Sequence, residues 1–208
     1  MSGDRWRAFY RERDYDRCIY REGEAMIDYL EAFFERVGVP KTILSVGCGP
    51  AVLEFAIAER YPATELTCAD VAERVIEDNR DRAHERGIDN ISFRVGSLPD
   101  LDLGQQFELV YCMATTYFVR DVEAALRALY DHVDSGGYLV ADYPSERLQE
   151  WVAEQDEDKQ AFFDLARTGE NIRTAAEIHA VFDEEIREYG QAVDAGETLT
   201  EAIYLQKQ

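Results

Sequence analysis

From Thr42 to Ala141 the chain alternates short apolar, β-rich runs with longer amphipathic ones, and few folds accept that alternation. The β-rich runs are Thr42–Val46 (TILSV), Glu65–Ala69 (ELTCA), Ile91–Val95 (ISFRV), Phe107–Met113 (FELVYCM) and Tyr138–Ala141 (YLVA). Between them Val52–Glu59, Ala72–Arg86 and Asp121–Val133 read as helices, with Gly87 as the stop of the second and Asp121 as N-cap of the third. Strands that are apolar along most of their length are covered on both faces. The pattern therefore predicts an α/β fold: a doubly wound, mostly parallel sheet with helices on both sides. The 208 residues suit one domain, 1–208, with 1–40 a helical lid or cap and 41–208 the α/β core.

Outside that core, Asp14–Val37 is expected to be mostly helical and Arg147–Arg167 to be a further amphipathic helical stretch. Thr174–Phe182 reads as a short helix, and Glu185–Val193 with Thr198–Gln206 as a closing β-hairpin after a turn in Ser135-Gly136-Gly137 has opened the fifth strand. Cys18, Cys48, Cys68 and Cys112 lack CxxC spacing, so they are expected to be buried, reduced thiols, and no metal is inferred. The start, Met1 to Arg13, is charged and does not read as a signal peptide, and no stretch reaches the roughly 18 apolar residues of a membrane span. The expected location is cytoplasmic.

The sharpest local feature is Ser45-Val46-Gly47-Cys48-Gly49-Pro50-Ala51, between a strand and a helix. Gly47 and Gly49 let the backbone turn tightly and approach a ligand closely, and the helix start behind them offers unpaired N–H groups. Asp70 ends the next strand, 21 residues after Gly49. A carboxylate there can take both ribose hydroxyls of an adenosine. The structural alternative is that Asp70 caps a helix beginning at Ala72.

ILSVGCGPAVLEFAIAERYP, LTCAD, ISFRVGSLPDL, FELVYCM and SGGYLVADY together resemble the class I S-adenosylmethionine-dependent methyltransferases, over about residues 40–143 and more weakly to AIYLQKQ at the C-terminus. The resemblance implies a seven-stranded Rossmann-like sheet whose last strand is antiparallel, and S-adenosyl-L-methionine as cofactor. It implies that Gly47 and Gly49 pass beside the methionine part and that Asp70 binds the ribose, with Ser45, Val46, Cys48 and Val71 also among the cofactor-binding residues. Ser97 and Leu98 would flank the adenine, and Cys112 and Met113 would approach the methionine end. Three positions depart from the family's habit: Ser45 and Ser97 where acids are usual, and Ala51 where glycine is usual. Ala51 fits that place if its φ is negative.

Methyl transfer from a sulfonium is an in-line displacement in which positioning can supply much of the catalysis, so a general base is optional. Candidates on the strand ends are Thr115, Thr116 and Tyr117 after the fourth strand, and Asp142 and Tyr143 after the fifth. The motifs of amino-group nucleic-acid methyltransferases and cytosine-C5 enzymes are absent, since the fourth strand continues CMATTYF and Tyr111 precedes Cys112. The expected acceptor is a small or medium-sized molecule. Tyr10, Tyr15 and Tyr20, with Phe9 and Arg21, are candidates for its side of the site, as a lid or as a helix packing an aromatic stripe. His84, His132 and His179 read as structural or exposed. A nicotinamide oxidoreductase is the weaker alternative, because Val52 stands where its fingerprint wants a third glycine. A non-catalytic binding protein of the same fold is the other.

The chain carries 43 acidic and 22 basic residues, a net charge of −21, and its lysines are Lys41, Lys159 and Lys207 alone. Acid excess with arginine in place of lysine resembles the proteomes of salt-in halophilic archaea. Such a surface gains stability as salt screens it, and it disfavours non-specific nucleic-acid binding.

Overall fold

A computed structural model describes residues 2–12, 25–196 and 201–208. Two helices come first, α1 (Ser2–Glu12) and α2 (Ala25–Val37). The alternating core follows: β1 (Thr42–Val46), α3 (Val52–Arg60), β2 (Glu65–Asp70), α4 (Glu73–Arg86), β3 (Ile91–Val95), β4 (Phe107–Cys112), α5 (Val122–Asp131) and β5 (Val133–Tyr143). Short helices α6 (Glu146–Ala153), α7 (Glu157–Phe162), α8 (Asp164–Thr168) and α9 (Ala175–His179) lead to β6 (Arg187–Glu188), α10 (Tyr189–Ala192) and β7 (Glu201–Gln206).

The seven strands lie in the order β3-β2-β1-β4-β5-β7-β6. The first five are parallel, β7 runs antiparallel to β5, and β6 antiparallel to β7. Strand order reverses between β1 and β4. Crossovers leave that point in opposite directions, so a crevice opens beyond the carboxyl ends of these two strands.

Helices cover both faces, as continuous apolar strands require. One face packs α2, α3, α4 and α10 around Phe33, Phe34, Ile57, Ile76 and Tyr189. The other packs α5 through Val122, Leu126 and Leu129, whose spacing of four and then three residues sets one stripe on the sheet. Asp121 accepts a hydrogen bond from the Ala124 N–H and Gly87 ends α4 at φ +64°, so the expected cap and stop are both present.

Four expectations need correction. The Ser135-Gly136-Gly137 turn lies inside β5: pairing jumps from Phe107–Val133 to Leu109–Tyr138, a bulge that keeps the strand continuous. Gly137 belongs there because a Cβ would stand 2.8 Å from the Glu108 carbonyl oxygen. The stretch from Arg147 to Arg167 breaks into α6, α7 and α8, with Asp156 capping α7. The first arm of the closing hairpin is only Arg187–Glu188, because Tyr189 turns into α10 and buries its ring beside Phe33 and Tyr111. Ala51 has φ +54°, not a negative value. A left-handed alanine costs about 1–2 kcal/mol against its right-handed form.

Candidate functional site

Four segments reach the crevice beyond β1 and β4: the glycine loop after β1, the end of β2, the loop after β4, and the end of β5. The glycine loop is held from several sides. Gly47 and Cys48 both donate backbone N–H groups to the Ala69 carbonyl, at 2.7 and 3.2 Å. The buried Asn79 of α4 donates to the Gly49 carbonyl at 2.8 Å, and Arg82 to the Pro50 carbonyl. Gly47 and Gly49 have φ +79° and +49°.

Asp70 links this loop to the next. One carboxylate oxygen accepts from the Gly49 N–H at 3.0 Å, the other from the Ala72 N–H at 2.9 Å. Burial raises its pKa, against the pull of those N–H groups. It is not the helix cap, since α4 starts at Glu73 and its cap position is Ala72.

Ser45 sits beneath the loop and donates to Glu54 Oε1 at 2.5 Å. Glu54 is a carboxyl in the middle of the apolar helix α3, only 2% exposed, and its Oε2 has no hydrogen-bond partner. Burial pushes it up to about 7, with Asp70 nearby adding to the rise. Sequence reading missed Glu54. Its signal was one acid inside the apolar run Val-Leu-Glu-Phe-Ala-Ile-Ala directly after the glycine loop.

Asp142, 1% exposed, organises the loop after β4. It accepts from the Ala114 N–H at 2.5 Å, while the Thr116 hydroxyl bonds its backbone carbonyl at 2.9 Å and lies 3.4 Å from its Oδ1. Burial pushes its carboxyl up to about 7, and the Tyr117 hydroxyl against it draws it back down. Tyr117 and Asp142 thus meet. Tyr143 points the other way along β5, and burial followed by Glu201 raises its hydroxyl.

The glycine faces carry side chains of the chain itself. A Cβ on Gly47 would stand 1.9 Å from Thr115 Oγ1, and one on Gly49 2.8 Å from the Tyr10 hydroxyl. Tyr10, buried on α1, stacks with Trp6 at 5.7 Å, and Gly3 of the same helix lies against Val71. Helix α1 therefore roofs the glycine loop. Tyr15 and Tyr20 lie outside the described residues. Val46 and Cys48 are buried in the strand end and loop, Ser97 is exposed, Leu98 is half-buried, Cys112 is buried in the core under α5, and Met113 is half-buried at the rim.

His132 bonds the Leu103 N–H and the Ala128 carbonyl through its two ring nitrogens, a structural arrangement, and His84 and His179 are exposed. Among the described residues no group of three His, Cys, Asp or Glu side chains could hold a metal, and no helix is long and apolar enough to cross a membrane. Cys48, Cys68 and Cys112 are buried free thiols, and Cys18 lies outside the described residues.

Residues 43–137, a little under half of the chain, match the family model described as a methyltransferase domain. Malonyl-[acyl-carrier protein] O-methyltransferase of Acetivibrio thermocellus is 32% identical over 97 residues, which are 47% of this chain and 33% of that protein. The Bacillus cereus protein of the same name is 24% identical over 137 residues, 65% of this chain and 47% of that one. The chain thus spans a third to a half of the length of these curated relatives. Among solved structures, magnesium protoporphyrin IX methyltransferase from Synechocystis with bound S-adenosylmethionine superposes with a TM-score of 0.68 at 14% identity, covering 100% of this chain and 98% of that one. The N-methyltransferase NodS from Bradyrhizobium japonicum, with S-adenosyl-L-homocysteine, gives 0.65 at 14% identity over 100% and 99%. These structures share the seven-stranded fold with this chain.

Proposed function

We propose that this chain binds S-adenosyl-L-methionine on its glycine loop and transfers the methyl group to a small or medium-sized acceptor. The observation that carries the reading is the union of Gly49 and Asp70 at the strand-order reversal, where open α/β sheets bind nucleotides. Both carboxylate oxygens of Asp70 are oriented by backbone N–H groups, and a carboxylate has lone pairs beyond these for a ribose hydroxyl. The family match over residues 43–137 and the bound ligands of the structural relatives support the same cofactor.

In this reading the loop from Ser45 to Gly49 lies along the methionine part, and Asp70 with Val71 holds the ribose. Ser97 and Leu98 border the adenine, and Met113, at the rim after the buried Cys112, forms the far wall. The bound cofactor supplies an electrophilic methyl on a sulfonium. The protein's part is to hold the acceptor in line with it and to exclude water. Helix α1 and Tyr10 do the excluding. Asp142 and Tyr117 are positioning residues: their bonds fix the loop after β4 that faces the acceptor. The acceptor of the curated relatives is not carried over, since most of their length has no counterpart here. The net charge of −21 favours a salt-rich cytoplasm, and no nucleic-acid or membrane partner is proposed.

Asp70→Asn tests the reading. Two charge-assisted bonds to a ribose are worth roughly 1.5–3 kcal/mol each, so losing them weakens binding by about two orders of magnitude or more. The substitution also turns an amide NH2 toward one backbone N–H, which costs roughly 1–2 kcal/mol of stability. Calorimetric titration with S-adenosyl-L-homocysteine, at a temperature where the variant is folded, separates the two effects. A folded Asp70→Asn protein that binds within about threefold of wild type would falsify the placement of the cofactor; NADH is expected not to bind either protein.

A further inference from the structure

A cavity lies between α1 and the helices α7 and α8. It encloses about 170 Å³. An apolar cavity of roughly 150 Å³ is enough to take up a benzene ring. Its walls are Trp6, Phe118 and Phe162. Trp6 meets Phe118 at 4.9 Å and Phe162 at 4.7 Å, both edge-on at 85°, and the two phenylalanines lie 5.6 Å apart at 73°. The three rings are thus packed on one another, and together they give that wall of the cavity an aromatic surface.

The mouth carries two arginines, each paired with one carboxylate, Arg5 with Asp164 and Arg120 with Glu170. Arg5, Arg120 and Asp164 line the cavity, two cations to one anion, in a chain with 22 basic and 43 acidic residues. Asp164 is engaged by Arg167 at 2.6 Å and by Arg5 at 3.7 Å. Its hydrogen bond to Arg167, with Arg5 and Arg120 close by, holds its carboxyl below the usual carboxylate range. Arg120 meets Glu170 through one terminal nitrogen, and a guanidinium carries five N–H donors. Exposed ion pairs such as these contribute little to stability, so folding alone does not call for two arginines beside three aromatic rings.

The cavity also adjoins the glycine loop. Trp6 stacks on Tyr10, and Tyr10 lies over Gly49. Tyr117, whose hydroxyl reaches Asp142, lines the cavity from the other side. Asn171, fully buried, donates to the Tyr117 and Val119 carbonyls at 2.9 and 3.0 Å and so pins the turn that presents Tyr117 and Phe118.

We propose that this cavity binds a one-ring aromatic carboxylate, with the ring lying against the surface that Trp6, Phe118 and Phe162 turn to the cavity and the carboxylate on Arg5 and Arg120. Planar guanidinium and carboxylate groups pair bidentately, which selects an anion over a neutral amide of the same shape. That such a molecule is the methyl acceptor rests on the function proposed above; that it binds does not.

Benzoate, benzamide and benzylamine are the probes, with Trp6 as reporter. The chain has two tryptophans, so Trp151→Phe leaves Trp6 as the one tryptophan, excited selectively over the 12 tyrosines. Titration of that protein with benzoate is expected to change Trp6 emission saturably, with benzamide at least about tenfold weaker and benzylamine without effect. Arg120→Gln, at a half-exposed position, is expected to lower benzoate affinity about tenfold and to leave benzamide where it was. Equal affinities for benzoate and benzamide, or no saturable response to benzoate, overturn the site. A parallel titration with S-adenosyl-L-homocysteine keeps the two ideas apart. If it binds and benzoate does not, the cavity assignment falls alone. If benzoate binds and it does not, the cavity assignment stands and the cofactor reading falls.

Discussion

The glycine loop and the aromatic roof over it are built by different means. The loop is fixed by backbone groups: Ala69, Gly49 and Ala72 are tied through Asp70, Asn79 and the loop's own N–H donors, at distances near 3 Å. The roof is fixed by rings of α1, α7 and the turn after β4; Tyr10 of α1 joins the main core, while the turn packs on a small buried cluster of Tyr117, Leu148, Val152 and Ala166. Directional bonds between backbone atoms tolerate almost no displacement, whereas ring contacts tolerate sliding. A loop made the first way can hold a constant part of a ligand. A roof made the second way can change its guest by changing a few side chains.

The strongest way to break that contrast is one methyl group. Gly47→Ala places a Cβ inside the Thr115 side chain at a residue with φ +79°. Left-handed strain of about 1–2 kcal/mol and overpacking of about 1–3 kcal/mol add up to a loss of roughly 2–5 kcal/mol. Affinity for S-adenosyl-L-homocysteine is expected to fall with it by about a hundredfold or more, some 2.7 kcal/mol. Val152→Ala deletes more atoms from the roof's cluster and should cost roughly 2 kcal/mol while leaving that affinity unchanged. Urea melts and calorimetry on the pair decide the matter: if Val152→Ala weakens binding as much as Gly47→Ala does, loop and roof are one unit and the contrast is gone.

A smaller effect sharpens it. Glu54 titrates at about 7 in the fold, against an ordinary 4.5. Between those values the folded protein holds a proton that the unfolded chain has lost, so stability falls as pH rises from about 4.5 to about 7 and is level above. Glu54→Gln keeps an acceptor for Ser45 and cannot ionise. It is expected to match wild type near pH 4 and to exceed it at pH 8 by on the order of 3–4 kcal/mol, about 1.4 kcal/mol per pKa unit. Asp142 titrates similarly in both proteins and cancels from the difference. A variant less stable than wild type at pH 8 in denaturant melts would show that the ionised Glu54 supports the loop instead of straining it.

The smallest effect is expected at Ala51. Ala51→Gly relieves about 1–2 kcal/mol of left-handed strain. It gives back about 0.5–1 kcal/mol in unfolded-chain entropy and about 0.8 kcal/mol in methyl burial. The net change should stay within about 1 kcal/mol of zero. A gain or loss beyond about 2 kcal/mol would mean that the residue, not its hydrogen-bonded surroundings, sets the loop's shape.

The same division explains how much of the molecule was legible in its sequence. The five parallel strands and their helices could be read because their signals are local: apolar runs, an aspartate cap, a glycine stop. The glycine loop and Asp70 could be singled out for the same reason, since backbone geometry restricts which residues stand there. Glu54 escaped because its partner, Ser45, is nine residues away and on a different element. Of the roof, the segment 1–40 with Phe9 and Tyr10 stands out in the sequence, whereas Trp6, Phe118 and Phe162 do not, because they come from segments whose meeting no periodicity announces. The bulge at Gly136-Gly137 was taken for a turn, since the same residues serve either purpose until a neighbouring strand is present to pair with.

The side chains that fill the glycine faces set a speed as well as a shape. A molecule lying on Gly47 and Gly49 takes the places held by the Thr115 and Tyr10 hydroxyls. Tyr10 cannot leave alone, because Trp6 is stacked on it and wedged against Phe118 and Phe162. On the function proposed above, loading the loop would wait for helix α1 to lift, and the fraction of time it is lifted would scale the apparent affinity directly. Raising the ligand concentration then speeds arrival only up to the frequency of that lifting, where the observed rate levels off.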